Sequence, residues 1–134
     1  MAKEKISLTP SEIYKPFGKY SHGILNKKSG LLISSGQLGI TKEGQIPEKF
    51  IDQTKLCFAN ILSILKEANF SLDDILKVSA FVTDRKYFKD YMIIRDQFLK
   101  NVLIKPTSTL LIVSGFTKPE FLVEIEIIAQ KIHS

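Results

Sequence analysis

The chain has 134 residues, of which 44% are hydrophobic and 25% are charged, and its formal net charge is +5. These proportions exclude an intrinsically disordered chain, which would be poor in apolar residues, and the length suits one core, so we expect a single domain over residues 1–134. No apolar run approaches the roughly 18 residues of a membrane span, and the N-terminus lacks the apolar stretch of a secretory signal. We therefore expect a cytoplasmic protein with no membrane partner.

The first half of the chain predicts a strand hairpin followed by a helix. Residues 21–25 and 31–35 are strand-like, and the polar loop between them ends in Gly30, which is typical of a hairpin. A further short strand is predicted over 5–8. From residue 50 to 68 apolar side chains recur about every 3.6 positions, which predicts a helix over 50–68.

The second half predicts a strand, a helix and two more strands. Residues 71–74 resemble a capping-box turn, which leads into a strand predicted over 75–82 and a helix predicted over 86–99. Two mainly apolar segments, 109–113 and 123–130, are predicted to be the last strands.

These elements predict an α+β fold in which two helices pack on one face of a mixed sheet of five to six strands. Segments 31–33 and 110–113 are apolar at successive positions, so both of their faces are apolar. Two helices cannot cover both faces of such a sheet. We therefore expect the uncovered face to pack against another copy of the chain.

Several familiar sites are absent from the sequence. It contains no Gly-rich phosphate loop, no closely spaced pair of metal-binding histidines and no nucleophile elbow, so we expect neither a cofactor nor a metal. His22 and His133 are far apart in sequence and are interpreted as structural or solvated. Cys57 is the only cysteine, which excludes an intrachain disulfide, and its place on the apolar face of the first predicted helix indicates a core residue.

The distribution of positive charge does not favour a nucleic-acid partner. Single-stranded nucleic acid is bound by a basic groove that is interleaved with aromatic side chains, whereas scattered charges are typical of an ordinary solvated surface. The lysines are scattered along the chain, for example at Lys3, Lys15, Lys27, Lys42, Lys66, Lys100 and Lys118.

Two glutamates near the C-terminus are candidates for acid–base chemistry. Glu124 and Glu126 are two residues apart in a predicted strand, so their side chains share one face of the sheet. Neighbouring carboxylates raise each other's proton affinity, which suits a general acid or base near neutral pH. A solvated strand face is the alternative that the sequence leaves open.

Four separated segments carry a resemblance to a known family. They are Gly18-Lys19-Tyr20-Ser21, Ile33-Ser34-Ser35-Gly36-Gln37-Leu38, Ser71-Leu72-Asp73-Asp74-Ile75-Leu76-Lys77-Val78 and Phe121-Leu122-Val123-Glu124-Ile125-Glu126. In order and spacing they are similar to motifs of the RidA/YjgF family of imine and enamine deaminases, also called the endoribonuclease L-PSP family. The resemblance implies a chorismate-mutase-like fold, assembled as a homotrimer with sites between subunits.

The resemblance also implies a set of site residues. Tyr20 and Glu124 match the family's catalytic tyrosine and glutamate, and Ser35 and Gly36 match the segment that contacts the substrate. The glutamate lies near the attacking water in the family's catalytic members. We therefore expect these four residues to lie at the site.

The family's arginine, which clamps a substrate carboxylate, is missing from its usual place. Counted from Pro106, Ser108 stands at that position with Thr109 beside it, so the resemblance is to an arginine-lacking branch. No neutral side chain reproduces the bidentate geometry of arginine, and we expect a substrate other than a simple 2-imino acid. The cations that could replace the arginine are Arg95, Lys19 and Lys118.

The leading hypothesis from the sequence is a hydrolytic deaminase that acts on an imine, an enamine or a related small electrophilic metabolite. In this hypothesis Glu124 activates a water, Tyr20 contacts the substrate, and Ser108 or Thr109 offers a hydroxyl. Two alternatives remain: a non-catalytic trimer that binds a small molecule or a protein, and an endoribonuclease or translation inhibitor. The expected cleft is lined by Tyr20, Ser35, Gly36, Ser108, Thr109 and Glu124.

Overall fold

A computed structural model describes residues 4–131 of the chain, so Lys3 and His133 lie outside the described residues. The elements are β1 (Lys5–Leu8), β2 (Gly23–Asn26), β3 (Leu31–Ser34), β4 (Gln37–Leu38), α1 (Phe50–Glu67), β5 (Ile75–Val82), α2 (Phe88–Phe98), β6 (Thr107–Ile112) and β7 (Val123–Gln130). Single turns of 3-10 helix precede β5 and α2, at Leu72–Asp74 and Arg85–Tyr87.

All seven strands belong to one mixed sheet. Its order is β1-β2-β3-β7-β5-β6, and β4 pairs with the start of β7. The pairs are antiparallel except for β5 and β6, which run parallel. The predicted α+β fold with two helices on a mixed sheet is therefore confirmed.

The second helix and the sixth strand begin at other residues than predicted, and one short strand was not predicted. The second helix begins at Phe88 rather than at residue 86, because the Asp84 carboxylate accepts from the Lys86 backbone N–H and starts a 3-10 turn first. Strand β6 begins at Thr107, two residues earlier than predicted. The two residues of β4 were not predicted as a separate strand, because their pairing with β7 is not visible in the local sequence.

The core lies between the two helices and one face of the sheet. Cys57, Ile61 and Leu65 of α1 have no exposed surface, and they pack in one cluster with Ile125 and Ile127 of β7. Cys57 is thus a core residue, as predicted. Burial raises the pKa of its thiol, and the charge of Glu124 adds to this rise. Within the described residues, neither helix is long and apolar enough to cross a membrane.

The opposite face of the sheet, called the open face below, is not covered by either helix. Ile33 is 49% exposed and Leu111 is 51% exposed, and both belong to this face. Their neighbours across the strands include Ile128, opposite Ile33, and Phe81, opposite Leu111. The open face therefore presents apolar surface to its surroundings.

The side chain of Gln53 links α1 by hydrogen bonds to the loop that precedes it and to the segment that leads into β7. It has no exposed surface, and its Nε2 donates to the carbonyl oxygens of Pro47 and Glu120, each at 2.8 Å. Its Oε1 accepts from the Leu122 backbone N–H at 2.9 Å. Leu122 directly precedes β7, so this amide fixes the point at which β7 begins.

Replacing Gln53 with alanine is expected to destabilise the fold. The change leaves one N–H and two carbonyl oxygens without partners, and at about 1–3 kcal/mol for a buried unsatisfied group we expect a loss of roughly 3 kcal/mol in the free energy of unfolding. Urea denaturation measures this loss. The exposed residue Gln45 is the matched control, and Gln45→Ala should change stability by less than about 0.5 kcal/mol. Equal effects of the two substitutions would contradict this role of Gln53.

Candidate functional site

Glu124 lies on the open face at the start of β7, half-buried against the backbone of Gly36. A Cβ built on Gly36 would lie 2.5 Å from Cδ of Glu124, closer than real Cβ contacts come. The absence of a side chain at residue 36 therefore creates the space that the carboxyl group occupies. The pairing of β4 with β7 holds these two segments together, because Leu38 is in register with Glu124.

The surroundings of Glu124 make its carboxyl group more basic than usual. Burial raises its pKa, and the negative charge of Glu126 on the same face raises it further. A carboxylate with a raised pKa accepts a proton more readily near neutral pH, which is what a general base requires. The predicted proximity of the two glutamates is therefore present in the structure.

Ser35 and His22 fix the segment beside Gly36. The Ser35 hydroxyl donates to the Ser21 carbonyl oxygen at 2.7 Å, and the Ser35 backbone N–H donates to the His22 carbonyl oxygen at 2.8 Å. The buried His22 ring places Nδ1 at 3.2 Å from Nε2 of Gln37. His22 is thus part of the framework that supports this segment.

Tyr20 stands at the exposed rim of the same region. Its ring meets the His22 ring edge-on with 6.4 Å between centroids, and its hydroxyl accepts from the Phe17 backbone N–H at 3.1 Å. The side chain is 46% exposed, so its ring is available to a ligand. The structure therefore brings Tyr20 and Ser35 to the segments that flank Gly36 and Glu124.

Ser108 and Thr109 lie apart from this group, on the edge strand β6. Ser108 is in register with the buried Val78 and faces the helices, whereas Thr109 is in register with Ser79 and faces the open side. Because β5 separates β6 from β7, two strand spacings or roughly 10 Å divide Thr109 from β7. Ser108 and Glu124 lie on opposite faces, so one chain alone does not bring the six predicted residues into one cleft.

An arginine from the second helix lies next to Ser108. Arg95 of α2 donates from Nη1 to the Ser108 hydroxyl oxygen at 3.1 Å, and it forms a salt bridge to Asp96 at 3.0 Å. Lys19 and Lys118, the other candidate cations, are exposed residues of loops. The sequence names Arg95 as a candidate but gives no sign that its guanidinium reaches β6, because that contact joins two elements.

No metal site is evident in the described part of the chain. Within residues 4–131, no three His, Cys, Asp or Glu side chains are grouped in a way that could hold a metal ion. Glu126 is the acidic neighbour of Glu124 on the open face. The chemistry that this arrangement supports is proton transfer by Glu124.

The family model described as Endoribonuclease L-PSP matches residues 10–131. This chain belongs to the endoribonuclease L-PSP (RidA/YjgF) family. A RutC family protein of Aquifex aeolicus is 37% identical over 117 residues, which cover 87% of this chain and 91% of that protein. Family membership supports a deaminase-like or endoribonuclease-like role at the level of the family.

Solved structures of the RidA/YjgF family have the same fold. The Rid family protein YyfA of Yersinia pestis is 29% identical and has a TM-score of 0.87, with 95% of this chain and 99% of that chain covered. TdcF of Escherichia coli, solved with bound serine, is 27% identical and also has a TM-score of 0.87, with the same coverage of both chains. The fold expected from the four sequence motifs is thus the fold observed.

Because Glu124 and Glu126 are neighbours on one face of the sheet, a substitution at Glu126 should change the pKa of Glu124. The negative charge of Glu126 favours the protonated form of Glu124, so Glu126→Gln should lower the pKa of Glu124 towards its ordinary value. Titration of the Glu124 side-chain carboxyl carbon by NMR measures the change. Glu43→Gln removes an exposed charge in a separate loop and should leave the titration unchanged. A rise in the Glu124 pKa after Glu126→Gln would contradict the coupling.

Proposed function

We propose that this protein is a deaminase-type hydrolase that acts on an imine, an enamine or a related small electrophile. The observation that carries the proposal is the half-buried Glu124 carboxyl group, whose pKa is raised and whose position depends on the absence of a side chain at Gly36. This is the strongest candidate for a general base in the described chain. A family relative solved with bound serine supports a small-molecule ligand.

The proposed reaction is the addition of water to a C=N bond. Glu124 accepts a proton from the water as its oxygen bonds to the imine carbon, and the imine nitrogen takes up a proton. The C–N bond then breaks, ammonia leaves, and a C=O group remains, so that one water is consumed for each ammonia released. The exposed ring of Tyr20 packs against the substrate at the rim of the cleft.

We also propose that the protein is a homotrimer whose subunits meet through the open face. Ile33 and Leu111 are each about half exposed on this face in the single chain, and burying such surface is the main driving force of association. An assembly of this kind also resolves the separation of the site residues, because a neighbouring chain can bring its β6 towards Glu124. The cleft then lies between subunits.

The catalytic proposal predicts that Glu124→Gln lowers the rate of imine hydrolysis by about 100-fold or more, because it removes the base but keeps the shape of the side chain. Ammonia release from imines that an amino-acid oxidase generates in the assay measures this rate. Glu43→Gln is the matched control and should retain the wild-type rate. Wild-type protein that binds imine analogues but does not accelerate hydrolysis would favour the non-catalytic binding trimer instead.

The assembly proposal predicts that a charge introduced on the open face disrupts the trimer, whereas a charge introduced on the helical side does not. Ile33→Lys places an ammonium group on the open face and should convert the trimer into monomers, because a charge without a partner is costly to bury. Ile93 of α2 is 57% exposed on the helical side, and Ile93→Lys should leave the trimer intact. Sedimentation at micromolar concentration measures both. A wild-type monomer under these conditions would refute the interface.

A further inference from the structure

A buried chain of hydrogen bonds runs beside Gly36, and two carbonyl oxygens determine its direction. Nε2 of Gln37 lies 3.3 Å from the Ser35 carbonyl oxygen and 3.2 Å from Nδ1 of His22. Nε2 of His22 lies 2.6 Å from the Tyr14 carbonyl oxygen. Because a carbonyl oxygen only accepts, the Gln37 amide must present its nitrogen to Ser35. For the same reason, Nε2 of His22 carries a hydrogen.

The imidazole of His22 has one protonation state that fits this arrangement. The Gln37 amide nitrogen has two hydrogens, and the second one points at Nδ1 of His22. Nδ1 therefore accepts, and the ring is neutral with its one hydrogen on Nε2. Both side chains are buried, and a buried polar chain with its bonds made favours a single geometry.

The chain of bonds ends on the peptide group that leads into Gly36. The Ser35 carbonyl belongs to the peptide bond between Ser35 and Gly36, and peptide groups are planar. A hydrogen bond to its oxygen therefore limits rotation of the whole group. The backbone of Gln37 is in register with Ile125 of β7, so its side chain is anchored in the sheet. Gln37 thus holds Gly36 in place from a fixed point.

The position of Gly36 determines how closely the protein surrounds the Glu124 carboxyl group. A Cβ built on Gly36 would lie 2.5 Å from Cδ and 2.7 Å from Oε2 of Glu124. The backbone at Gly36 therefore lies directly against the carboxyl group and shields it from water on that side. A displacement of Gly36 would admit water there.

The other neighbours of Glu124 act on it in a different way. Its register partners, Leu38 on β4 and Phe81 on β5, are uncharged. The titratable groups coupled to it are Glu126 on the same strand and the Cys57 thiol of α1. These two groups influence Glu124 through charge, whereas the backbone at Gly36 influences it through access of water.

We propose that Gln37 is a positioning residue for Glu124, which holds the Ser35–Gly36 peptide group against the carboxyl group with His22 as its support. This inference rests on the hydrolase proposed above, in which Glu124 is the base. Gln37 acts through Glu124 and does not touch the substrate. A displaced Gly36 leaves the base more hydrated and less well oriented, and misplacement of a reacting group by a small distance lowers the rate strongly.

The direction of the hydrogen bonds is tested in the wild-type protein by NMR of the His22 ring nitrogens at neutral pH. We expect a neutral ring with its hydrogen on Nε2 and with Nδ1 as an acceptor. His133 is the other histidine of the sequence, and the spectrum of His133→Gln assigns the signals. A hydrogen on Nδ1 would overturn the inference, because that nitrogen could then not accept from Gln37.

Gln37→Met tests the positioning role, because it keeps the length of the side chain and removes both hydrogen bonds. We expect the pKa of Glu124 to fall towards its ordinary value by about half a pH unit or more, because water reaches the carboxyl group. The rate of imine hydrolysis should fall about tenfold. A general base works when deprotonated, so the acidic limb of the pH–rate profile should move to lower pH together with the NMR titration of Glu124.

Control variants separate positioning from general destabilisation. Thr54→Val removes a buried hydrogen bond within α1, from Oγ1 to the Phe50 carbonyl oxygen, and should leave the Glu124 titration and the pH–rate profile unchanged. His22→Phe keeps the bond from Gln37 to Ser35 and should give a smaller shift than Gln37→Met.

The double variant should shift the Glu124 pKa no further than Gln37→Met alone, because both changes act through one chain of bonds. An unchanged Glu124 titration in correctly folded Gln37→Met protein, or an equal shift in Thr54→Val, would overturn the inference.

The same measurements distinguish failure of this inference from failure of the proposed reaction. If Gln37→Met shifts the Glu124 titration while Glu124→Gln hydrolyses imines at the wild-type rate, Gln37 positions Glu124 and the proposed hydrolase mechanism fails. If Glu124→Gln is inactive while Gln37→Met keeps the wild-type titration and rate, the hydrolase stands and the role of Gln37 is wrong.

Discussion

Strand β7 pairs with β3, β4 and β5, and its side chains alternate between the core and the open face. Val123, Ile125 and Ile127 are buried against the helices, and this burial places Glu124 and Glu126 on the other side. A slip of one residue would put two carboxylates into the core and three apolar side chains on the open face. The hydrophobic energy of the core therefore holds the candidate base in place, although Glu124 itself contributes little to that energy.

The division of polar groups between the two sides of the sheet links the proposed reaction to the proposed trimer. Glu124 and Gly36 belong to one side, and Arg95 and Ser108 belong to the other. Folding of one chain places each pair, but the proposed cleft requires a second chain. In the proposed trimer, conditions that dissociate the subunits should therefore separate Glu124 of one copy from β6 of its neighbour without disturbing either pair.

The sequence predicts the periodic features of the fold well and the long-range ones poorly. The regular apolar spacing over 50–68 predicts α1, and the alternation around Glu124 predicts which side it occupies. The buried amide of Gln53 gives no such signal, because its partners Glu120 and Leu122 are more than sixty positions away in sequence. The contact between Arg95 and Ser108 is hidden for a related reason. It depends on how α2 lies against β6, which sequence periodicity does not determine.

The position of Cys57 has a practical consequence for spectroscopy. Its side chain has no exposed surface, and burial raises the pKa of the thiol, so little thiolate is present to react with maleimides or methanethiosulfonates. No other cysteine occurs in the sequence. A cysteine introduced at an exposed position would then be the one reactive thiol in the folded protein. Fluorophores or spin labels can thus be attached at a chosen residue while Cys57 remains in the core, and distances between copies of the chain in the proposed trimer become measurable.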